Sequence, residues 1–299
     1  MNYNGWFKRN TKSLAGKKVV ITGAAGGLGT QCCFHLARLG ADLVVIDRNI
    51  DGLQKLKESL LQKYPALNVD VISTDLSNLE DVKKCVQNLK QLPKIDVLIH
   101  NAGVFRLPVR HERGDYNIIF KVNFIAPYYI TKQLLPLLEK GGKAKVIVVS
   151  SLAHKFAQYD ENDVDYSGNT DDQKIYGNSK RFVMFSLMRL LKDNDKVDLS
   201  IVHPGISYTN LMKNFPKFIS KIIELPMKLI FNSPKKSSLS IIKGIFGEHG
   251  YCEWFGPKIF SIWGMPKRKR LKSCSPEEIE KIFVKAEKIY QEINKKMAD

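Results

Sequence analysis

Tyr176 and Lys180, a phenol and an ammonium four residues apart, are the residues of this 299-residue chain best suited to move a proton. Within Tyr176-Gly177-Asn178-Ser179-Lys180 that spacing places both groups on one face of a helix. Far upstream, Thr22-Gly23-Ala24-Ala25-Gly26-Gly27-Leu28-Gly29 follows the apolar run Val19-Val20-Ile21 and leads into a helix-like stretch. Backbone N–H groups and a helix dipole can meet a pyrophosphate there, so the loop is expected to hold a dinucleotide. Hydride leaving a carbinol carbon, or reaching a carbonyl, develops charge on oxygen, and a general acid/base must trade a proton with that oxygen. Tyr176 is the candidate: a free phenol has a pKa of about 10, and a nearby ammonium together with the nicotinamide charge favours phenolate. Lys180 supplies that field and can also hold the nicotinamide ribose. The pair of motifs points to hydride transfer on an alcohol or carbonyl.

Asp47 ends the second apolar run, 24 residues after Gly23, where a carboxylate can accept hydrogen bonds from the adenosine ribose and repel a 2′-phosphate. Arg48 follows and would welcome that phosphate, but the glycine loop itself holds no Lys or Arg. The balance favours NAD, with NADP as the second choice. Asp75 follows the third run, where it either touches the adenine ring or caps the helix starting near Leu79.

Those residues need a frame. Short apolar runs recur at Lys17 to Thr22, Leu43 to Ile46, Val69 to Ser73, Val97 to Ile99, Lys145 to Ser150 and Leu199 to Val202, separated by stretches of helical spacing such as Leu53, Leu56, Leu60 and Leu61. This rhythm predicts an α/β fold, a doubly wound parallel sheet with helices on both faces, in one domain spanning residues 1–299. Ligands of such sheets lie beyond the carboxyl ends of the strands, where every motif above falls. The stretch from Asp160 to Asp172, with six carboxylates, reads as a solvated loop. Residues 207–233 combine apolar side chains with Lys213, Lys217 and Lys221 on one helical face. They read as a substrate lid, and a basic amphipathic segment resting peripherally on anionic lipid is the competing reading. Ser275-Pro276-Glu277-Glu278 starts a terminal helix over 275–296.

The formal charge of +17 is regional: residues 201 to 272 hold thirteen Lys/Arg against Glu224, Glu248 and Glu253. No nucleic-acid-binding motif accompanies it, which argues against that class of partner. The five cysteines show no C-x-x-C spacing, and the six histidines show no metal-ligand spacing. Neither a metal nor a disulfide framework is expected, and a reducing cytoplasm fits best. No segment reaches the roughly 18 apolar residues of a membrane span.

In order along the chain, the glycine loop, His100-Asn101-Ala102-Gly103, Asn123, Ser150-Ser151, Tyr176 with Lys180, and Pro204-Gly205 followed by Thr209 resemble the short-chain dehydrogenase/reductase family over nearly the whole length. The resemblance implies that Thr22, Gly23, Gly27, Leu28 and Gly29 cradle the cofactor, with Leu76 beside Asp75. Asn101, Ala102 and Gly103 line its adenosine side, and Pro204, Gly205, Ile206 and Thr209 lie at the nicotinamide and phosphates. It implies further that Ser151 donates to the substrate oxygen, while Asn123 holds a water linking Lys180 to solvent. Here His154 stands where the family's Ser-Ser-x-x-Gly pattern has glycine. The 25 residues from Ser151 to Tyr176 and Phe231-Asn232-Ser233-Pro234 look like those of retinol-dehydrogenase-like members, which implies hydrophobic alcohols or ketones and a homo-oligomer. Two rivals stand beside this reading: a sugar-nucleotide epimerase or dehydratase using the same Tyr/Lys pair, and a catalytically idle NAD-binding sensor or membrane-surface protein.

Overall fold

Alternation along the strands decides which helices pack on which face. In β1 (Lys18–Thr22) Val19 and Ile21 enter one core and Val20 the other, and β2 (Asp42–Asp47) divides Leu43 and Val45 from Val44 and Ile46 in the same way. β3 (Val69–Ser73), β4 (Val97–His100), β5 (Ala144–Val149), β6 (Val197–Val202), β7 (Glu253–Ile259) and β8 (Trp263–Arg270) complete one eight-stranded sheet. The computed structural model describes residues 3–107, 115–205, 233–273 and 275–296.

The strand order is β3-β2-β1-β4-β5-β6-β7-β8, parallel except for the β7–β8 pair. The order reverses between β1 and β4, the switch point beyond whose carboxyl ends doubly wound sheets bind their ligands. On one face pack α1 (Tyr3–Asn10), α2 (Gly27–Arg38), α3 (Ile50–Lys63) and, later in the chain, Leu239–Phe246. On the other pack α4 (Leu79–Leu89), α5 (Ala126–Leu138), α6 (Asp172–Leu190) and the terminal helix Pro276–Lys296. The terminal helix is held by charge as well as apolar contact: Arg181 pairs with both oxygens of Glu278, Arg189 with Glu280 at 2.8 Å, and Lys132 with Glu287 at 2.6 Å.

Several features differ from the sequence reading. β7, β8 and α1 were not expected: β7 contains Gly256 and Pro257, β8 contains Pro266 among basic residues, and both compositions resemble loops. In α1, Trp6 and Phe7 are buried against α2, so this short polar helix is ordered by packing. The acidic stretch is more than a solvated loop, because Asp165 is buried and accepts from Asn117 N–H at 2.6 Å, while Asp171 caps α6. Cys252 is disulfide-bonded, whereas Cys32, Cys33 and Cys85 are free and buried. Sheet pairing sets Cys252 beside Leu271, whose N–H donates to its carbonyl at 2.7 Å, a proximity that sequence spacing alone does not show.

Candidate active site

The glycine loop joins β1 to α2, and its geometry depends on missing side chains. Gly23 has φ +68°, and a Cβ there would lie 2.7 Å from Ala102 Cα. A Cβ on Gly29 would overlap the Gly23 carbonyl, so α2 can start this close to the strand only with glycine. The helix begins after Gly26 with no side-chain cap and no acid in its first turn, leaving its N–H groups and positive dipole end for an external anion. Asn101 braces the loop by donating Nδ2 to the Thr22 and Gly23 carbonyls, at 3.0 Å each, while its buried Oδ1 has no partner among the described residues. An uncapped helix end, a cradle that a Cβ would fill and an orphaned acceptor fit a dinucleotide. Gly23, Gly27, Leu28, Gly29 and Asn101 are the residues that could hold it.

Thr22 turns elsewhere. It is buried, donates to the Ile99 carbonyl at 3.4 Å and accepts from Ala102 N–H at 3.2 Å, which ties β1 to β4. Asp47 stands at the end of β2, accepting from Ala25 N–H at 3.2 Å and Asn49 N–H at 3.1 Å, so it also sets the shape of the loop. Arg48 follows it at the surface. Asp75 accepts from the Ser77 N–H and hydroxyl at 2.9 and 2.7 Å, and the cap of α4 is Asn78. Leu76 is buried in the core beneath.

Across the rim, α6 carries Tyr176 and Lys180. Burial pushes the Tyr176 phenol up to about 12, and the hydrogen bond from Ser151 pulls it partly back. Lys180 is pushed down to about 8 by burial alone. Its Nζ donates to the Val149 carbonyl at 3.0 Å and lies 5.6 Å from the Tyr176 ring centre. In the chain alone, desolvation opposes the charge on both groups. Phe105 closes one side of Tyr176 with its ring edge, 5.1 Å between centres.

Ser150 and Ser151 leave β5 in opposite directions. Ser150 is buried with its hydroxyl on Met184 Sδ at 2.5 Å, whereas Ser151 accepts from Ala153 N–H at 3.2 Å. Asn123 sits in a π-helical turn, Lys121–Ile125, a form often found at functional sites. It donates to the Val104 carbonyl and Ser179 Oγ at 3.0 Å each and accepts from Val104 N–H at 2.9 Å. Gly103 lies between the two polar side chains: a Cβ there would be 3.2 Å from Lys180 Nζ and 3.3 Å from Asn123 Oδ1. Gly205, after Pro204, has φ +81° and packs on the β7–β8 turn. Ile206, Thr209 and residues 207–232 of the expected lid lie outside the described residues; Ser233 caps the turn Pro234–Ser237.

Two histidines behind the serines were missed as site residues. His154 Nδ1 meets the Ser151 carbonyl at 2.6 Å, and because a carbonyl only accepts, the proton is on Nδ1 and Nε2 accepts from Ser273 Oγ at 2.7 Å. His203 meets the Ser150 carbonyl at 3.3 Å through Nδ1 and stacks on Trp254, which also receives the edge of His154. The one sequence signal was His154 in the position of the usual glycine. Among the described residues no group of three His, Cys, Asp or Glu side chains is placed to hold a metal, and no helix is long and apolar enough to cross a membrane.

A family model described as short chain dehydrogenase matches residues 17–219. Retinol dehydrogenase 14 of Mus musculus is 28% identical over 76% of this chain and 72% of its own length, and polyprenol dehydrogenase of Homo sapiens is 27% identical over 85% and 83%. Among solved structures, an uncharacterised protein from Mycobacterium Paratuberculosis superposes with a TM-score of 0.73 at 22% identity, covering 95% of this chain and 96% of that one. A short-chain dehydrogenase from Sphingobium yanoikuyae in complex with NADPH gives 0.59 at 20% identity, covering 76% and 84%. With the glycine cradle and the Ser-Tyr-Lys cluster on one rim, the chain belongs to the short-chain dehydrogenase family and is an NAD(P)-dependent oxidoreductase of a small-molecule alcohol or carbonyl.

Proposed function

We propose that the chain interconverts a hydrophobic alcohol and its carbonyl with NAD as preferred cofactor, Tyr176 exchanging the proton with the substrate oxygen. The observation that carries this reading is Tyr176 and Lys180 together on α6, with Lys180 Nζ 5.6 Å from the Tyr176 ring centre, at the same rim as the uncapped start of α2. Bound nicotinamide supplies or accepts the hydride. Tyr176, held as a neutral phenol, donates its proton to the oxygen of a carbonyl, or as phenolate takes one from an alcohol. Ser151 donates to the same oxygen; loss of such a donor commonly costs about 100-fold or more. Lys180 favours the charged state of Tyr176 when that state forms, and Asn123 holds the Val104 backbone and Ser179 in place around it.

The preference for NAD rests on Asp47, whose carboxylate closes the loop where a 2′-phosphate would lie, with no cation between Thr22 and Gly29. The hydrophobic substrate rests on the printed names of the relatives, retinol and polyprenol dehydrogenase, both naming apolar alcohols. The test is oxidation of NADH and NADPH by the purified protein against a panel of apolar aldehydes and ketones, with Tyr176→Phe as control. Turnover with NADH that the substitution reduces by about 1,000-fold or more is expected. Undiminished turnover in Tyr176→Phe would remove Tyr176 from the chemistry, and cofactor binding without turnover on any carbonyl would favour a sensor.

A further inference from the structure

The last two strands form a hairpin whose tip is exposed and apolar. Ile262 N–H donates to the Ile259 carbonyl at 2.9 Å, and Phe260 and Ser261 between them have φ +47° and +60°. A β-turn with both central φ positive normally carries Asn or Gly, and a bulky side chain there is an outlier. This strained backbone holds Phe260 81% exposed, with Ile259 at 47% and Trp263 at 36% beside it. Behind the tip, Lys258, Lys267, Arg270 and Lys272 are exposed and have no carboxylate within ion-pair distance among the described residues. Lysine and proline on an edge strand discourage strand pairing, which explains part of β8. They do not explain why an aromatic side chain is held in water by a disfavoured turn.

The tip is also placed on the active rim. β7 runs parallel to β6, so Ile259 lies at the same end of the sheet as Ser151 and Pro204, and the turn packs against Gly205. We infer that the β7–β8 hairpin docks the mouth of the active site on an anionic membrane surface, Phe260 and Trp263 entering the headgroup boundary and the basic residues meeting lipid phosphates and carboxylates. An aromatic tip with an excess of cations suits that surface, because the rings leave water while the charges stay at the headgroups. The inference deepens the proposed function by naming the phase from which an apolar substrate arrives, but it is tested without turnover.

Trp6 and Trp254 are buried, so Trp263 is the accessible one of the three tryptophans and its emission reports insertion. The full chain is mixed with phosphatidylcholine vesicles with and without phosphatidylserine, and both co-sedimentation and the fluorescence blue shift are read. Binding is expected only with phosphatidylserine, weakening as salt rises. Phe260→Ser and Lys267→Glu/Arg270→Glu are each expected to lower partitioning by about tenfold or more. Both variants should keep the wild-type circular dichroism and turnover on a water-soluble carbonyl. Tyr176→Phe should bind vesicles like the wild type, which separates failure of docking from failure of the catalytic reading. No binding to anionic vesicles, or equal binding by wild type and both hairpin variants, overturns the inference. So does a wild-type dimer in sedimentation velocity that Phe260→Ser converts to monomer, since a second copy then covers the tip.

Discussion

Lowering the pH from 7 to 5 should remove a large part of the stability of this protein, because four histidines are buried as neutral rings. His35, His100, His154 and His203 are each 3% exposed or less. Burial pushes His35, His154 and His203 down to about 4 and His100 to about 3, against about 6.5 in an unfolded chain. The hydrogen bonds agree: the Lys235, Ser151 and Ser150 carbonyls take one N–H each from His35, His154 and His203, and each ring is otherwise enclosed. Since the native pKa lies below the unfolded one, the unfolded state binds more protons. Stability is therefore full above about 6.5 and is lost as pH falls toward the native values. At pH 5 each ring is almost fully protonated when unfolded, whereas in the native state His35, His154 and His203 are about a tenth protonated and His100 about a hundredth. Each costs about 2 kcal/mol relative to pH 7, and the four together on the order of 7 kcal/mol. That is a major share of the roughly 5–15 kcal/mol of a typical domain. Urea unfolding followed by circular dichroism at half-unit pH steps measures it, with an expected slope of about three to four protons near pH 5. His203→Gln should reduce the slope by about one proton. A loss below about 2 kcal/mol between pH 7 and 5, one histidine's worth, would refute the reasoning.

Asp47→Ala should shift the NADH-to-NADPH ratio of kcat/KM toward NADPH by about tenfold, and an unchanged ratio would remove Asp47 from the ribose contact. Gly103→Ala sets a Cβ 3.2 Å from Lys180 Nζ and should lower kcat by about tenfold for a stability cost of about 1–3 kcal/mol, read by steady-state kinetics and urea unfolding. His154→Ala should lower kcat about tenfold with KM little changed, through loosening of the Ser151 backbone. His154→Asn, whose amide can still reach the Ser151 carbonyl, should retain more of kcat than Ala; equal losses would show that only volume matters at that position.

The central sheet was legible because its physics is local. A strand buried on both faces must be apolar throughout, so β1, β2, β4, β5 and β6 stand out as short runs separated by helical spacing. The glycine loop is legible for a related reason, since Gly23 and Gly29 occupy places where a Cβ meets backbone, a constraint that only one residue type satisfies. The lower visibility of β3 follows from its half-exposed faces, and it was found mainly by its place in the rhythm.

What escaped the sequence depends on partners distant in the chain. β7 is a strand because Phe255 pairs with Val202 and Trp254 fills the space between His154 and His203, and none of these lies near it in sequence. The turn joining it to β8 uses Phe260-Ser261 where a local rule asks for Asn-Gly, so the rule marks no hairpin there. His154 is the same case inside the site: its spacing shows only that a glycine is missing, while its role comes from Ser151 on one nitrogen and Ser273 on the other. Arg181 extends that chain by donating to the His154 carbonyl at 3.1 Å while pairing with Glu278 of the terminal helix. The serine that faces Tyr176 is thereby fixed through His154 to residues more than a hundred positions away. Places where local rules fail are thus the places where distant elements meet, and here they meet behind the catalytic serine and at the tip proposed to meet the membrane.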